Sequence, residues 1–169
     1  MPNSPTNFIV YNDMQIEIIS KITECLGGKL ILGVDRTFNL SSMYLTVTVL
    51  KIHFICNLKS RECSIFLGPV FLHHDGFFST YLEFFNHLKA VLLSVREFSL
   101  KGENLTFGTD EEHALTKAIS IAFPESRIIH CTKYLQDTLE RYAKNKYGLK
   151  SHQITTLKVE LLRRLISKK

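Results

Sequence analysis

Leu30-Ile31-Leu32-Gly33-Val34-Asp35 is a nearly continuous apolar run that closes on a carboxylate. A run of this length suits a strand buried on both faces, at the centre of a sheet covered by helices. Downstream, Tyr44–Leu50 alternates without a break, with Tyr44, Thr46 and Thr48 on one face and Leu45, Val47 and Val49 on the other. Its β-branched residues make it a second strand. Phe66–Leu72 is a third, and Pro69 within it has no N–H for a ladder, which places that residue at an edge or a bulge. Arg36–Met43 and Asn57–Ser64 are then the connecting turns, the second a polar hairpin tip.

From Phe77 to Arg96 the spacing changes to a period of about 3.6, with Phe78, Tyr81, Leu82, Phe85, Leu88 and Leu92 on one face of a long helix. A short strand over Asn104–Gly108 precedes a helix over Asp110–Ala122 that turns Leu115, Ala118, Ile119 and Ala122 inward. Thr109 and Glu112 have the spacing of a capping box at its start. Ser126–His130 reads as one more strand, followed by helices over Thr132–Lys146 and Thr155–Ser167. The order is βββαβαβα. Short turns make the first three strands antiparallel, and helical crossovers make the later ones parallel to their neighbours. The expected architecture is therefore α/β: a five-stranded mixed sheet, order 3-2-1-4-5, flanked by helices, which is the ribonuclease H-like arrangement. Residues 1–28 form a lead-in with a helix over Met14–Leu26 that stops at Gly27-Gly28. Residues 29–147 form the core, and 148–169 a basic C-terminal helix.

The composition agrees with a folded chain. Its 169 residues are 45% apolar and include twelve Phe, enough for one sizeable core and too many for low-complexity disorder. The most apolar stretches fall far short of the ~20 residues a membrane span needs, so no membrane partner is expected. The opening Met-Pro-Asn-Ser-Pro has no basic region followed by an apolar run and does not read as a secretory signal. Cys25, Cys56, Cys63 and Cys131 are scattered without a Cys-x-x-Cys pair, which argues against structural zinc and a disulfide framework. Charge is uneven. Arg141–Lys169 holds nine Lys and Arg against Glu160 alone, so a chain of net charge +5 has a body of −3 and an end of +8. A basic end of this kind is compatible with a polyanion, though from composition alone the plainer reading is a solvated helix face.

The chemistry rests on two acids. Asp35 ends the first strand and Asp110 follows the fourth, 75 positions later. Strand order 3-2-1-4-5 makes those two strands neighbours, so the carboxylates meet at the carboxyl edge of the sheet, where open α/β sheets place their ligands. Two like charges at ~4 Å cost about 4 kcal/mol at an effective dielectric of 20. A shared proton or a bound cation offsets that cost. Mg²⁺ or Mn²⁺ is the natural occupant, being a hard ion that takes carboxylate oxygens and keeps waters for a substrate phosphate. Singly, Asp35 reads as the start of a turn and Asp110 as a first-turn helix acid. Other clusters carry less. His73-His74-Asp75 reads as a polar strand-to-helix turn, and Phe77-Phe78, Tyr81 and Phe84-Phe85 have the helical spacing of a core. His130 and Cys131, as strand neighbours, point to opposite faces.

Leu32-Gly33-Val34-Asp35-Arg36-Thr37-Phe38-Asn39-Leu40 with Tyr44–Thr48, Leu67–His73 with Tyr81 and Phe84-Phe85, and Phe107-Gly108-Thr109-Asp110-Glu111-Glu112-His113-Ala114-Leu115 with Ala118-Ile119 and Phe123-Pro124 resemble successive blocks of Mutator-like element (MULE) transposase domains. The resemblance runs from about Leu30 to Arg141. It implies a nuclear enzyme of the Asp-Asp-Glu class that cuts transposon ends and joins them to target DNA with divalent metal, and it makes Asp35 and Asp110 the first two metal-binding catalytic acids. Two departures go with it. Where the family carries Cys-x-x-His, this chain has Cys131-Thr132-Lys133-Tyr134. The family's third acid follows a helical insertion that would lie beyond Lys169. Asp137, Glu140 and Glu160 match no family motif and read as helix-surface carboxylates.

Two functions follow as expectations. The first is a transposase-derived catalytic-core fragment, ancestrally a Mg²⁺- or Mn²⁺-dependent DNA cleavage and strand-transfer enzyme, with DNA and a further copy of itself as partners. The second is a catalytically inactive DNA-binding or interaction module that keeps the fold. A self-contained nuclease using Asp137 or Glu140 as its third ligand is a further alternative.

Overall fold

The computed structural model describes residues 6–27, 29–40, 42–94, 104–110 and 112–166. They divide into two compact units, Met1–Ile129 and His130–Lys169. The first unit carries strands β1 (Phe8–Val10), β2 (Leu30–Leu40), β3 (Met43–Cys56), β4 (Cys63–His73) and β5 (Leu105–Thr109), with helices α1 (Asp13–Cys25), α2 (Phe78–Ser94) and α3 (His113–Ala122). Strand β6 (Arg127–His130) closes its sheet. Helices α4 (Thr132–Tyr147) and α5 (Ser151–Ile166) make up the second unit.

The sheet is six-stranded, in the order β1-β4-β3-β2-β5-β6. β2–β3 and β3–β4 are antiparallel and β2–β5 is parallel. The architecture is thus α/β with a mixed sheet, and the five expected strands lie in the expected order. The sixth strand was not expected. Phe8–Val10 is only three residues long, too short to show a period, yet it pairs antiparallel with β4 through Phe8↔Leu72, Ile9↔Phe71 and Val10↔Val70. Asn12 and Gln15 then start α1 with a reciprocal capping box, both bonds 2.8 Å. Residues 1–28, expected as a lead-in, therefore add a strand to the sheet and Ile16 and Ile19 to its core.

The first two strands are longer than the apolar pattern implies. β2 does not stop at Asp35, because Arg36 and Thr37 stay paired with Thr46 and Leu45 and the hairpin closes at Leu40↔Met43. Of the two alternatives for Pro69, the structure takes the bulge: Val47 pairs with Val70 and Val49 with Leu67, so Thr48 faces both Gly68 and Pro69. β4 is an interior strand, and the buried Thr48 hydroxyl donates to the Pro69 carbonyl at 2.7 Å. At the far end of the same hairpin, Cys56 pairs with Cys63 and their sulfurs lie 3.4 Å apart, within reach of a thiol hydrogen bond.

Helices α1, α2 and α3 all pack on one face of the sheet. Ile16, Ile19, Leu30, Leu32, Leu50, Phe71, Phe84, Phe85, Leu88, Phe107, Leu115 and Ile119 form the core there. It is the threonine face of β3 that turns inward: Thr46 and Thr48 are fully buried, while Leu45, Val47 and Val49 are half-buried. On that second face Phe8, Val10, Ile31, Leu67 and Ile129 are about half exposed and Ile65 is 71% exposed. The expectation that β2 is buried on both faces is thus corrected, since Leu30, Leu32 and Val34 are buried but Ile31 is not. Within α2, Tyr81, Phe84 and Phe85 are core residues as their spacing implies, whereas Phe77 precedes the helix and is 69% exposed.

In the second unit α4 ends on Gly148, whose left-handed φ of 62° suits glycine and lets its N–H reach back to Lys144 O. α5 begins at Ser151, four residues earlier than the apolar spacing suggests. Ala143 and Ile154 are buried, and Lys158 donates to Glu140 at 2.7 Å.

Candidate active site at the rim of the sheet

The parallel β2–β5 ladder runs Leu30↔Leu105, Ile31↔Thr106, Leu32↔Phe107, Gly33↔Gly108. Asp35 and Asp110 each lie two residues past the last matched pair. Burial alternates along both segments, Leu30, Leu32 and Val34 inward on one and Leu105, Phe107 and Thr109 inward on the other. Asp35, still paired with Val47 inside β2, takes the opposite, open face by the two-residue period, and Asp110 lies just past the last residue of β5. Asp35 is exposed and Asp110 half-buried.

Asp110 sits in the short loop between β5 and α3. Its Oδ1 accepts the Glu112 backbone N–H at 3.2 Å and faces the Thr109 hydroxyl at 3.5 Å. The expected capping box at Thr109 and Glu112 does not form. Thr109 is the buried last residue of β5, and Glu112 is itself the N-cap of α3 without a side-chain cap bond. The Glu112 side chain has a charged partner instead. Arg36 Nη1 donates to Glu112 Oε1 at 2.7 Å and to the Tyr81 hydroxyl at 3.2 Å, and that hydroxyl donates to Glu112 Oε1 at 3.1 Å. Both charged side chains are 17% exposed. The guanidinium also lies over the Tyr44 ring, 5.1 Å from its centroid. Gly76 leaves room for it: a Cβ there would meet Arg36 Nη1 at 2.5 Å.

Burial pushes the Glu112 carboxyl above the usual carboxylate range. Arg36 and the Tyr81 hydrogen bond pull it back, and the Asp110 charge pushes it up again. Burial likewise raises the Tyr81 hydroxyl far above its ordinary value. Glu112 Oε2 is buried and has no hydrogen-bond partner among the described residues.

His73, expected in a polar turn, is the buried last residue of β4. Its Nδ1 lies 2.5 Å from the Asp75 carbonyl oxygen and its Nε2 2.9 Å from Thr46 Oγ1. A carbonyl only accepts, so Nδ1 carries the proton and the Thr46 hydroxyl donates to Nε2. The ring stacks on Phe71 and meets Tyr81 edge-on, and burial lowers its pKa from 6.5.

In the other unit, Cys131 precedes α4 and is exposed, while the side chain of Tyr134 lies outside the described residues. Asp137 and Glu160 are exposed, and Glu140 pairs with Lys158. Among the described residues no three His, Cys, Asp or Glu side chains form a group that could hold a metal, and no helix is long and apolar enough to cross a membrane.

The Arg36–Glu112–Tyr81 cluster was missed in the sequence, and one signal could have found it. Arg36 has the inward parity of Leu32 and Val34, and a cation on the inward face of a strand requires a partner. No family model and no curated protein matches the chain.

Proposed function

We propose that this chain is a ribonuclease H-like, MULE-type transposase core fragment whose ancestral chemistry is metal-dependent cleavage and joining of DNA in the nucleus. The observation that carries the reading is the parallel β2–β5 pairing, which runs the two segments side by side with Asp35 and Asp110 each two residues past the Gly33↔Gly108 pair. Two carboxylates with solvent beside them fit a hard dication, which takes one or two such ligands and fills its remaining positions with water and phosphate oxygens. A bound Mg²⁺ or Mn²⁺ would stabilise charge on the attacking and leaving oxygens of a phosphodiester. Asp35 and Asp110 would supply the anionic oxygens that hold it. The nine basic residues of Arg141–Lys169 would contact the DNA backbone without reading its sequence.

A second reading keeps the DNA contact and drops the chemistry. Tyr134 at the position of the family's His favours it. Titration calorimetry with Mn²⁺ separates the two. A site abolished by both Asp35→Asn and Asp110→Asn supports the catalytic ancestry, and identical heats for wild type and variants leave the inactive module.

A further inference from the structure

We infer that the Arg36–Glu112 ion pair is a positioning brace that locks the two aspartates into one metal site. The inference rests on the reading of Asp35 and Asp110 given above. Asp35 is held in β2 by its pairing with Val47 of β3, whereas Asp110 lies past the end of β5, whose last match with β2 is Gly33↔Gly108, so the sheet ladder fixes Asp35 and leaves Asp110 to be positioned otherwise. The brace supplies that positioning. Arg36 follows Asp35 directly, and its Nη1 reaches across to Glu112 Oε1 at 2.7 Å. Glu112 in turn gives its backbone N–H to Asp110 Oδ1 at 3.2 Å. An unbroken path therefore runs from the backbone of Asp35, through a mostly buried ion pair, to the carboxylate of Asp110. Tyr81 holds the middle of that path by bonding both partners, at 3.2 and 3.1 Å. Arg36 has the inward parity of Leu32 and Val34 and Asp35 the outward one, so the brace approaches from the core side and leaves the exposed Asp35 carboxylate open.

The sign of one mutational effect separates this role from simple electrostatics. Arg36 is a cation beside a cation site, so on charge alone Arg36→Met would tighten Mn²⁺ binding. A lost brace does the opposite, since outer partners that orient ligands are commonly worth 10–100-fold in metal affinity. The experiment is Mn²⁺ titration calorimetry on the full chain, with folding of each variant checked by circular dichroism. We expect Arg36→Met to weaken binding about 10-fold or more and Arg36→Lys, which keeps a charged donor, to restore most of it. The double variant Arg36→Met/Glu112→Gln removes both charges together. It leaves no buried charge unpaired and serves where the single variant does not fold. It should also bind weakly. Tighter or unchanged binding in the folded Arg36→Met or double variant would overturn the brace while leaving the metal site standing. Absence of Mn²⁺ binding in the wild type would remove the metal site, and the brace with it.

Discussion

Gly33 and Gly108 are partners across the parallel β2–β5 ladder, the last matched positions before each segment reaches its aspartate. They are not equivalent in their surroundings. A Cβ on Gly33 would sit 2.7 Å from Val49 Cγ2, whereas one on Gly108 would meet nothing closer than Ile129 Cγ1 at 3.7 Å. Val49 is β-branched and stiff at χ1, so it yields poorly.

Gly33→Ala is accordingly expected to cost about 1–3 kcal/mol through overpacking. It should appear as a lower urea midpoint at unchanged slope. Gly108→Ala should stay within about 0.5 kcal/mol. Equal midpoints for the two variants would show that the β2–β3 contact is looser than described.

Arg36 and Glu112 give a second expectation, on stability rather than metal. Removing one partner leaves the other charge mostly buried and unpaired, so Arg36→Met should cost about 3 kcal/mol. Adding Glu112→Gln should recover much of that loss. A double-mutant cycle by urea denaturation measures the coupling, and strictly additive effects would refute it.

His73 predicts a pH dependence. Burial against Phe71 and Tyr81 lowers its folded pKa below 6.5; the Asp75 carbonyl opposes that shift, Arg36 and His74 assist it, and the Asp75 charge opposes it. The unfolded chain therefore binds more protons than the folded one between the lowered value and 6.5. Stability rises with pH across that window, is full above 6.5 and falls as the pH drops below it. In His73→Gln the slope of stability against pH below 6.5 should flatten. An unchanged slope would assign the acid sensitivity to other groups.

Much of this was legible in the sequence where burial is one-sided and periodic. The inward residues of α3, Leu115, Ala118, Ile119 and Ala122, are those its spacing implies, and the long-range neighbourhood of β2 and β5 followed from crossover topology. What escaped depended on partners far away along the chain. β1 exists because β4 offers it an edge, not because Phe8-Ile9-Val10 shows a pattern. Thr46 and Thr48 turn inward because His73 and the Pro69 carbonyl accept their hydroxyls. The Glu112 side chain makes no cap bond because Arg36, 76 residues away, is a stronger partner. Local rules cannot see such pairings.

A crystal soaked in Mn²⁺ and measured for anomalous scattering bears most directly on Asp35 and Asp110. We expect one peak bridging the two side chains, at about 2.0–2.3 Å from an oxygen of each. Carboxyl groups lying more than about 10 Å apart, too far to share one ion or a pair of ions, or a peak bound elsewhere, would contradict a common metal site.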